Sequence, residues 1–470
     1  MLFSDPIFFL FFLVYFVLHV LVPPRARLLL IIIGSSVFYA WWRPAYLWLP
    51  FLLIAIARTG VAWIERVADP ASRKLRLGIT LASLFLPLAV VKYAYFVVFD
   101  VIGRFADLSG LIDNPTGLKF PLPLGISFIT FTLTAYVVDV YRGVYKAERQ
   151  LAAVVGYVLF FPHLVAGPIL RPHELIPQLK QARPALGARF TVGIAIFTLG
   201  LLKKLLFADQ LGIVADRVFA SGGASLGGWD YVLGIYAFSV QIYCDFSGYT
   251  DMAIGIAYLL RVRLPTNFLR PYTATSIIDF WRRWHITLSY WLRDYLYVPL
   301  GGNRGGELAR FRNVLVTMVL GGLWHGASWT FVVWGLVHGL AIGATHMLQA
   351  PMRRWRIHVP RAVAVVLTFH VVTASWVFFR ASSLTDAGRV FRGVLTATWD
   401  GGGAFAAAQS FPILLLAMFA ILHPFDRHAL VRLGVRRLNP GLVWPAIGLC
   451  WILAIAVSQG SSAKFIYFDF

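Results

Sequence analysis

Cysteine and acidic side chains are scarce in this chain, and each scarcity removes a class of protein. Only two cysteines occur in 470 residues, Cys244 and Cys450, each in an apolar run and far from the other. That excludes a disulfide framework, and no Cys/His spacing of a metal site is present, so no metal is expected. Charged residues make up 13%, with 21 Asp plus Glu against 42 Lys plus Arg, a formal net charge of +21. Fully 59% of residues are hydrophobic and the mean hydropathy is +0.73, more apolar surface than a soluble chain of this size can bury. The class is therefore a polytopic membrane protein. The basic excess does not mark a nucleic-acid binder, because the arginines and lysines sit mostly in short connections between apolar runs, as the positive-inside rule describes. A repeat of fixed period and a soluble domain are also missing. Gly301-Gly-Asn-Arg-Gly-Gly306 lacks the Gly-Lys-Ser/Thr ending of a phosphate loop and reads as a turn.

A helix needs about 20 apolar residues to cross the hydrocarbon core. Candidate spans are 6–22, 27–42, 46–64, 77–99, 122–140, 151–168, 190–207, 229–247, 248–260, 313–328, 329–348, 361–379, 410–423 and 442–459. The expectation is an all-α polytopic fold with about eleven crossings, the shorter and glycine-broken runs being re-entrant or interfacial. The first run has Asp5 before it and Pro23-Pro24-Arg25 after it, which reads as a retained transmembrane helix and not a cleaved signal. Basic connections at 23–27, 65–76, 141–150, 350–361 and 425–437 oppose an acidic one at 100–120 that carries Asp100, Asp107 and Asp113. This alternation predicts that both termini lie outside the cytoplasm. Gly401-Gly-Gly-Ala-Phe-Ala-Ala-Ala reads as a flexible connection. One membrane domain over 1–470 is expected.

Sequence and bilayer disagree most within 229–348. Gln241-Ile-Tyr-Cys-Asp245-Phe-Ser-Gly-Tyr-Thr-Asp251 places two carboxylates in an apolar run, with Gly248 predicted to break it. These groups suit hydrogen-bonding glue between helices as well as a cavity. Trp281, Trp284 and Trp291 recur at roughly helical spacing, interleaved with Arg282, Arg283, Arg293 and Asp294. That pattern predicts an amphipathic interfacial helix, its arginines toward lipid headgroups or an anionic ligand. Arg304, Arg310 and Arg312 extend the cluster, and guanidinium groups bind phosphate bidentately. His285 and His325 lie in aromatic, nearly uncharged surroundings. An ionisable group at membrane depth is a functional candidate by default, and histidine suits proton transfer near neutral pH. On pattern alone His325 suits a structural role equally, and His19, His346 and His423 read as interfacial histidines near segment ends.

Four ordered motifs carry a resemblance. Tyr243-x-Asp245-Phe-Ser-Gly-Tyr-x-Asp251-Met-Ala-Ile-Gly, Phe280-Trp-Arg-Arg-Trp-His285-Ile-Thr-Leu-Ser, Tyr297-x-Pro-Leu-Gly-Gly-Asn303-Arg and Gly322-Leu-Trp-His325-Gly-Ala-Ser-Trp resemble the membrane-bound O-acyltransferases, most closely the branch of bacterial alginate O-acetylation. The likeness extends to Phe120-Pro-Leu-Pro-Leu-Gly-Ile-Ser-Phe and to the closing Phe465-Ile-Tyr-Phe.

The resemblance implies an intramembrane funnel with His325 as the catalytic histidine and His285 as a second motif histidine. It implies a cytoplasmic thioester donor, acetyl-CoA, with no bound cofactor, and an acceptor reached from outside. Asp245, Tyr249, Asp251, Asn303, Trp324 and Trp329 become substrate-contact candidates, and Arg282, Arg283, Arg304 and Arg312 candidates for the donor phosphates. It also implies a bacterial inner-membrane setting beside membrane lipid, O-acetylation of an extracytoplasmic polysaccharide, and a periplasmic SGNH-type acetyltransferase or another polysaccharide-modification protein as partner. Two other readings stay open: D-alanyl transfer to teichoic acid-type acceptors, and a proton-coupled transporter, for which broken helices with histidine and aspartate also suit.

Overall fold

The computed structural model describes residues 1–104, 121–220, 226–356, 358–458, 463 and 465–466, and every regular element among them is helical. Asp107, Asp113, Phe120 and residues 467–468, all used in the sequence reading, lie outside the described residues, as does position 459 at the end of the last expected span. Backbone contacts divide the chain into two compact units, 1–194 with 253–265, and 195–252 with 266–470.

The first unit holds α1 (Pro6–Leu21), α2 (Pro24–Ala40), α3 (Trp48–Glu65), α4 (Pro70–Leu88), α5 (Ile126–Tyr141), α6 (Leu151–Leu159), α7 (Phe161–Leu164), α8 (Pro172–Lys180) and the opening turns of α9 (Ala188–Leu202). Proline at the first helical position starts α1, α2 and α4, where its missing N–H costs nothing. The Asp69 side chain caps α4 by accepting the Ser72 N–H at 2.8 Å. At the centre is α5, buried from Ile126 to Val140 and packed against α3 and α4. The expected span 151–168 is broken at Phe160, and the N–H of Phe161 is met by the Ser35 hydroxyl at 3.1 Å.

The second unit takes the rest of α9, which passes through a π-helical turn (Lys203–Ala208) directly into α10 (Asp209–Ala220), a continuous run of 33 residues. It continues with α11 (Gly228–Leu259), whose residues from Ala253 on count with the first unit, then α12 (Ile277–Trp281), α13 (Ile286–Leu292), α14 (Gly306–His325), α15 (Trp329–Arg354), α16 (Arg361–Arg380), α17 (Leu384–Thr396), α18 (Gly402–Ala408), α19 (Ser410–Leu422), α20 (His428–Arg437) and α21 (Pro440–Ser458). Among the described residues six helices can cross a membrane by length and composition, or seven if the pair α18 and α19, bent by 81°, forms one broken span and not a re-entrant loop. The expected eleven crossings are not reached on that criterion, α1 and α5 being apolar but shorter than it requires.

Three sequence expectations give way here. Gly248 does not break its run: 229–247 and 248–260 form one helix of 32 residues. What Gly248 permits is a crossing with α9, because a Cβ there would stand 2.7 Å from the Gly200 carbonyl oxygen, and a Cβ on Gly200 would stand 2.4 Å from that of Gly248. Such small-residue contacts let two helix backbones meet. The interfacial helix predicted through Trp281 and Trp291 is two short helices, interrupted where His285 turns left-handed (φ 42°). The supposed flexible patch is helical from Gly402, with Gly401 (φ 67°) as its left-handed cap. The turn expected at Gly301–Gly306 is present, with positive φ at Gly301, Gly302, Gly305 and Gly306.

Candidate active site

His325 is the last residue of α14 and is buried. Its imidazole meets the rings of Trp324, Trp334 and Phe379 at centroid distances of 4.9, 5.2 and 5.2 Å. Trp324 also reaches the His285 ring at 6.2 Å, so the two motif histidines bracket one indole. His285 is fully buried, with Phe246 edge-on at 4.7 Å.

Its orientation comes from Asn267. The Asn267 Oδ1 accepts from the Thr287 N–H at 3.2 Å and the Thr287 hydroxyl at 3.0 Å, which identifies that atom as oxygen. His285 Nδ1, 3.2 Å from the same oxygen, must therefore be the donor, and the neutral ring carries its lone pair on Nε2. Backbone bonds from Ile286 to Asn267 and from Leu269 to Arg283 hold the two segments side by side.

A third histidine completes the aromatic cluster. Trp281 Nε1–H donates to His338 Nδ1 at 3.2 Å, so His338 Nε2–H donates to the Ser375 hydroxyl at 2.9 Å, which in turn donates to the Val372 carbonyl. Trp334 packs against both His338 (4.7 Å) and His325.

The motif aspartates are engaged elsewhere. Lys203 Nζ lies 2.7 Å from Asp251 and 2.5 Å from Asp426, and Asp251 also takes the His428 Nε2 at 2.7 Å. The Tyr243 hydroxyl donates to Asp426. Lys204 pairs with Asp209 at 2.8 Å and Asp245 at 2.9 Å, and Asp245 accepts the Ile466 N–H at 2.7 Å. Asp245 and Asp251 are thus each held in a buried ion pair with a lysine. Tyr249 is buried, stacked 4.8 Å from Phe465.

The remaining candidates are dispersed. Asn303 is exposed and accepts from the Tyr297 hydroxyl at 2.7 Å, while Trp329 is half-buried at the start of α15. Arg282, Arg304 and Arg312 are exposed, and Arg312 contacts Asn313. Arg283 is tied to Asp279 at 2.8 Å and Thr273 at 3.0 Å. His423, expected at an interface, is buried between Tyr243 and Phe419, its Nε2 accepting the Tyr272 N–H. Among the described residues no group of three or more His, Cys, Asp or Glu is placed to hold a metal ion.

Sequence reasoning missed Lys203, Lys204, Asp426, His428 and Ser375. For the lysines the signal existed: two adjacent cations inside an apolar run are the same anomaly that singled out His325. Asp426 and His428 sit in a basic connection that gives no such warning.

Residues 146–384 match the model of the MBOAT, membrane-bound O-acyltransferase family. The chain is 41% identical over 399 residues to the "Probable alginate O-acetylase AlgI" of Pseudomonas syringae pv. tomato, covering 83% of this chain and 74% of that protein. It is 36% identical to the peptidoglycan O-acetyltransferase of Helicobacter pylori over 431 residues, 84% and 80% of the two chains. To the teichoic acid D-alanyltransferase of Bacillus subtilis it is 27% identical over 277 residues, 54% and 68%. With its all-helical architecture, its apolar spans and its four ordered motifs, this chain belongs to the membrane-bound O-acyltransferase family.

Proposed function

We propose that this multi-pass acyltransferase moves an acetyl group from cytoplasmic acetyl-CoA toward an extracytoplasmic polysaccharide. The observation that carries the reading is His325, an imidazole buried at the end of α14 within an aromatic wall, with His285 across Trp324. In the proposed step His325 takes the proton of the acceptor hydroxyl while that oxygen bonds to the acyl carbon. The C–S bond then breaks, and the thiolate leaves with the proton returned by His325. A positioned general base contributes about 10²–10⁴-fold. His285, fixed by Asn267, orients the acceptor or polarises the acyl carbonyl, and Asp245, Tyr249, Asp251, Asn303, Trp324 and Trp329 are the proposed substrate contacts. Arg282, Arg283, Arg304 and Arg312 take the donor phosphates, Arg283 being oriented by its pair with Asp279.

The alginate and peptidoglycan acetylation named for two relatives supports a polysaccharide acceptor. A periplasmic SGNH-type acetyltransferase is the proposed recipient of the acetyl group, with the protein in the bacterial inner membrane, both termini periplasmic, and the chain working as one catalytic module. The likeness to a D-alanyltransferase supports a second reading, D-alanine transfer from a carrier protein, ranked lower on its narrower coverage.

The test is the O-acetyl content of the cell's extracellular polysaccharide with the intact protein and with His325→Ala at matched membrane levels. Loss of acetyl groups in the variant is expected. Unchanged acetylation would overturn the assignment, and transfer of D-alanine but not acetate by purified protein would select the second reading.

A further inference from the structure

The hairpin of α14 and α15 carries a feature that acyl transfer does not use. Leu308, Phe311 and Val314 of α14 face Gly343 and Met347 of α15 across a groove of about 340 Å³. That is within the size range of small-molecule sites, about 300–1,000 Å³. Gly343 forms its floor: a Cβ there would stand 2.3 Å from a ring carbon of Phe311, so only hydrogen lets that ring lie against the α15 backbone.

The rim of the groove is basic. Arg310 and His346 line it, and Arg282 joins Arg310 within electrostatic reach of the His346 imidazole. The acidic group there, Glu307, is turned outward, its side chain 83% exposed and 3.7 Å from Arg310. Away from the rim the same two helices present Leu308, Leu320, Leu336, Leu340 and Met347 as exposed apolar side chains. A soluble surface would not leave so continuous an apolar strip uncovered, whereas in a membrane hydrocarbon covers it.

We propose that this groove binds one anionic phospholipid. An acyl chain lies along Phe311, Val314 and Met347, and the headgroup phosphate sits between Arg310 and His346. Charge complementarity selects an anionic headgroup, since guanidinium groups bind phosphate with charge-assisted, often bidentate bonds. Leu308 and Met347 call for a hydrocarbon chain, whereas the pantetheine arm of a coenzyme A donor carries two amides with nothing polar here to meet them, which favours the lipid. The proposal is independent of the role given to His325.

Native mass spectrometry of the purified full-length protein tests it, after equilibration with equal amounts of phosphatidylglycerol and phosphatidylcholine of matched chains. The expected result is a preference for phosphatidylglycerol of roughly tenfold, a factor equivalent to about 1.4 kcal/mol. Arg310→Gln should bring the preference to near parity, and Val314→Trp, which fills the groove, should remove the bound lipid without lowering the thermal midpoint. Equal retention of both lipids by the unaltered protein would overturn the proposal, as would a preference that survives both substitutions. Displacement of the lipid by added coenzyme A would also overturn it, assigning the groove to the donor.

Discussion

His285 combines two demands that few side chains meet. Its backbone is left-handed, a region that Asn, Asp and His enter more readily than branched or bulky residues, and its ring is fixed by Asn267. His285→Asn should therefore keep the fold while removing the imidazole, and His285→Val should lose both. Matched thermal unfolding and acetyl-transfer rates would separate the two: a His285→Asn protein of normal turnover would leave the ring a backbone role alone. Asn267→Leu strips the acceptor from three donors, the His285 ring and the N–H and hydroxyl of Thr287. Leaving buried donors without an acceptor costs about 1–3 kcal/mol each, so a clear fall in the unfolding midpoint is expected. His338 is held from both ring nitrogens, and its substitution should disturb Trp334 before it disturbs any proton transfer.

Helix contacts decide how these residues meet. Gly248→Leu would drive a branched side chain into the Gly200 carbonyl and the Lys203 segment of the neighbouring helix. Overpacking of this kind costs about 1–3 kcal/mol, and unfolding in detergent should register it. If the midpoint of Gly248→Leu matches that of the parent, the close crossing is not needed. The same glycine shows where the sequence could be read and where it could not. Apolar runs located the long hydrophobic helices, because bilayer length and hydrophobicity are properties of a run, but they passed over α8, α10, α17, α18 and α20, which are short or carry charge. A glycine inside such a run signals either a break or a close crossing, and only the partner helix decides between them. The Trp281 to Trp291 periodicity was visible, but its interruption depends on Asn267 hydrogen-bonding from a separate segment. His325 and His285 were legible as ionisable groups in apolar surroundings, whereas Lys203 and Lys204 were passed over as part of a span. Asp426, which pairs with Lys203, and His428, which bonds to the Asp251 that Lys203 also meets, lie more than two hundred residues downstream of the lysines, where no local pattern marks them.

At the scale of the second unit, two buried braids of charge run through the helices: Tyr243, Asp426, Lys203, Asp251 and His428 in one, Asp209, Lys204 and Asp245 in the other. Removing one partner of a buried ion pair costs about 3–5 kcal/mol, because the other charge is left without compensation. Lys203→Met should accordingly lower the unfolding midpoint sharply, and adding Asp426→Asn and Asp251→Asn should recover part of the loss. A triple variant no more stable than Lys203→Met alone would argue against charge pairing as the source. The braid also has a consequence for biogenesis. When the ribosome delivers the helix holding Lys203 and Lys204, the chain that will neutralise Lys203 through Asp426 has not yet been made. Until it emerges Asp251, 48 residues on, can meet Lys203, and Asp209 and Asp245 can meet Lys204, so the first braid closes in full only when the segment carrying Asp426 and His428 arrives, as a late step in assembly of this unit.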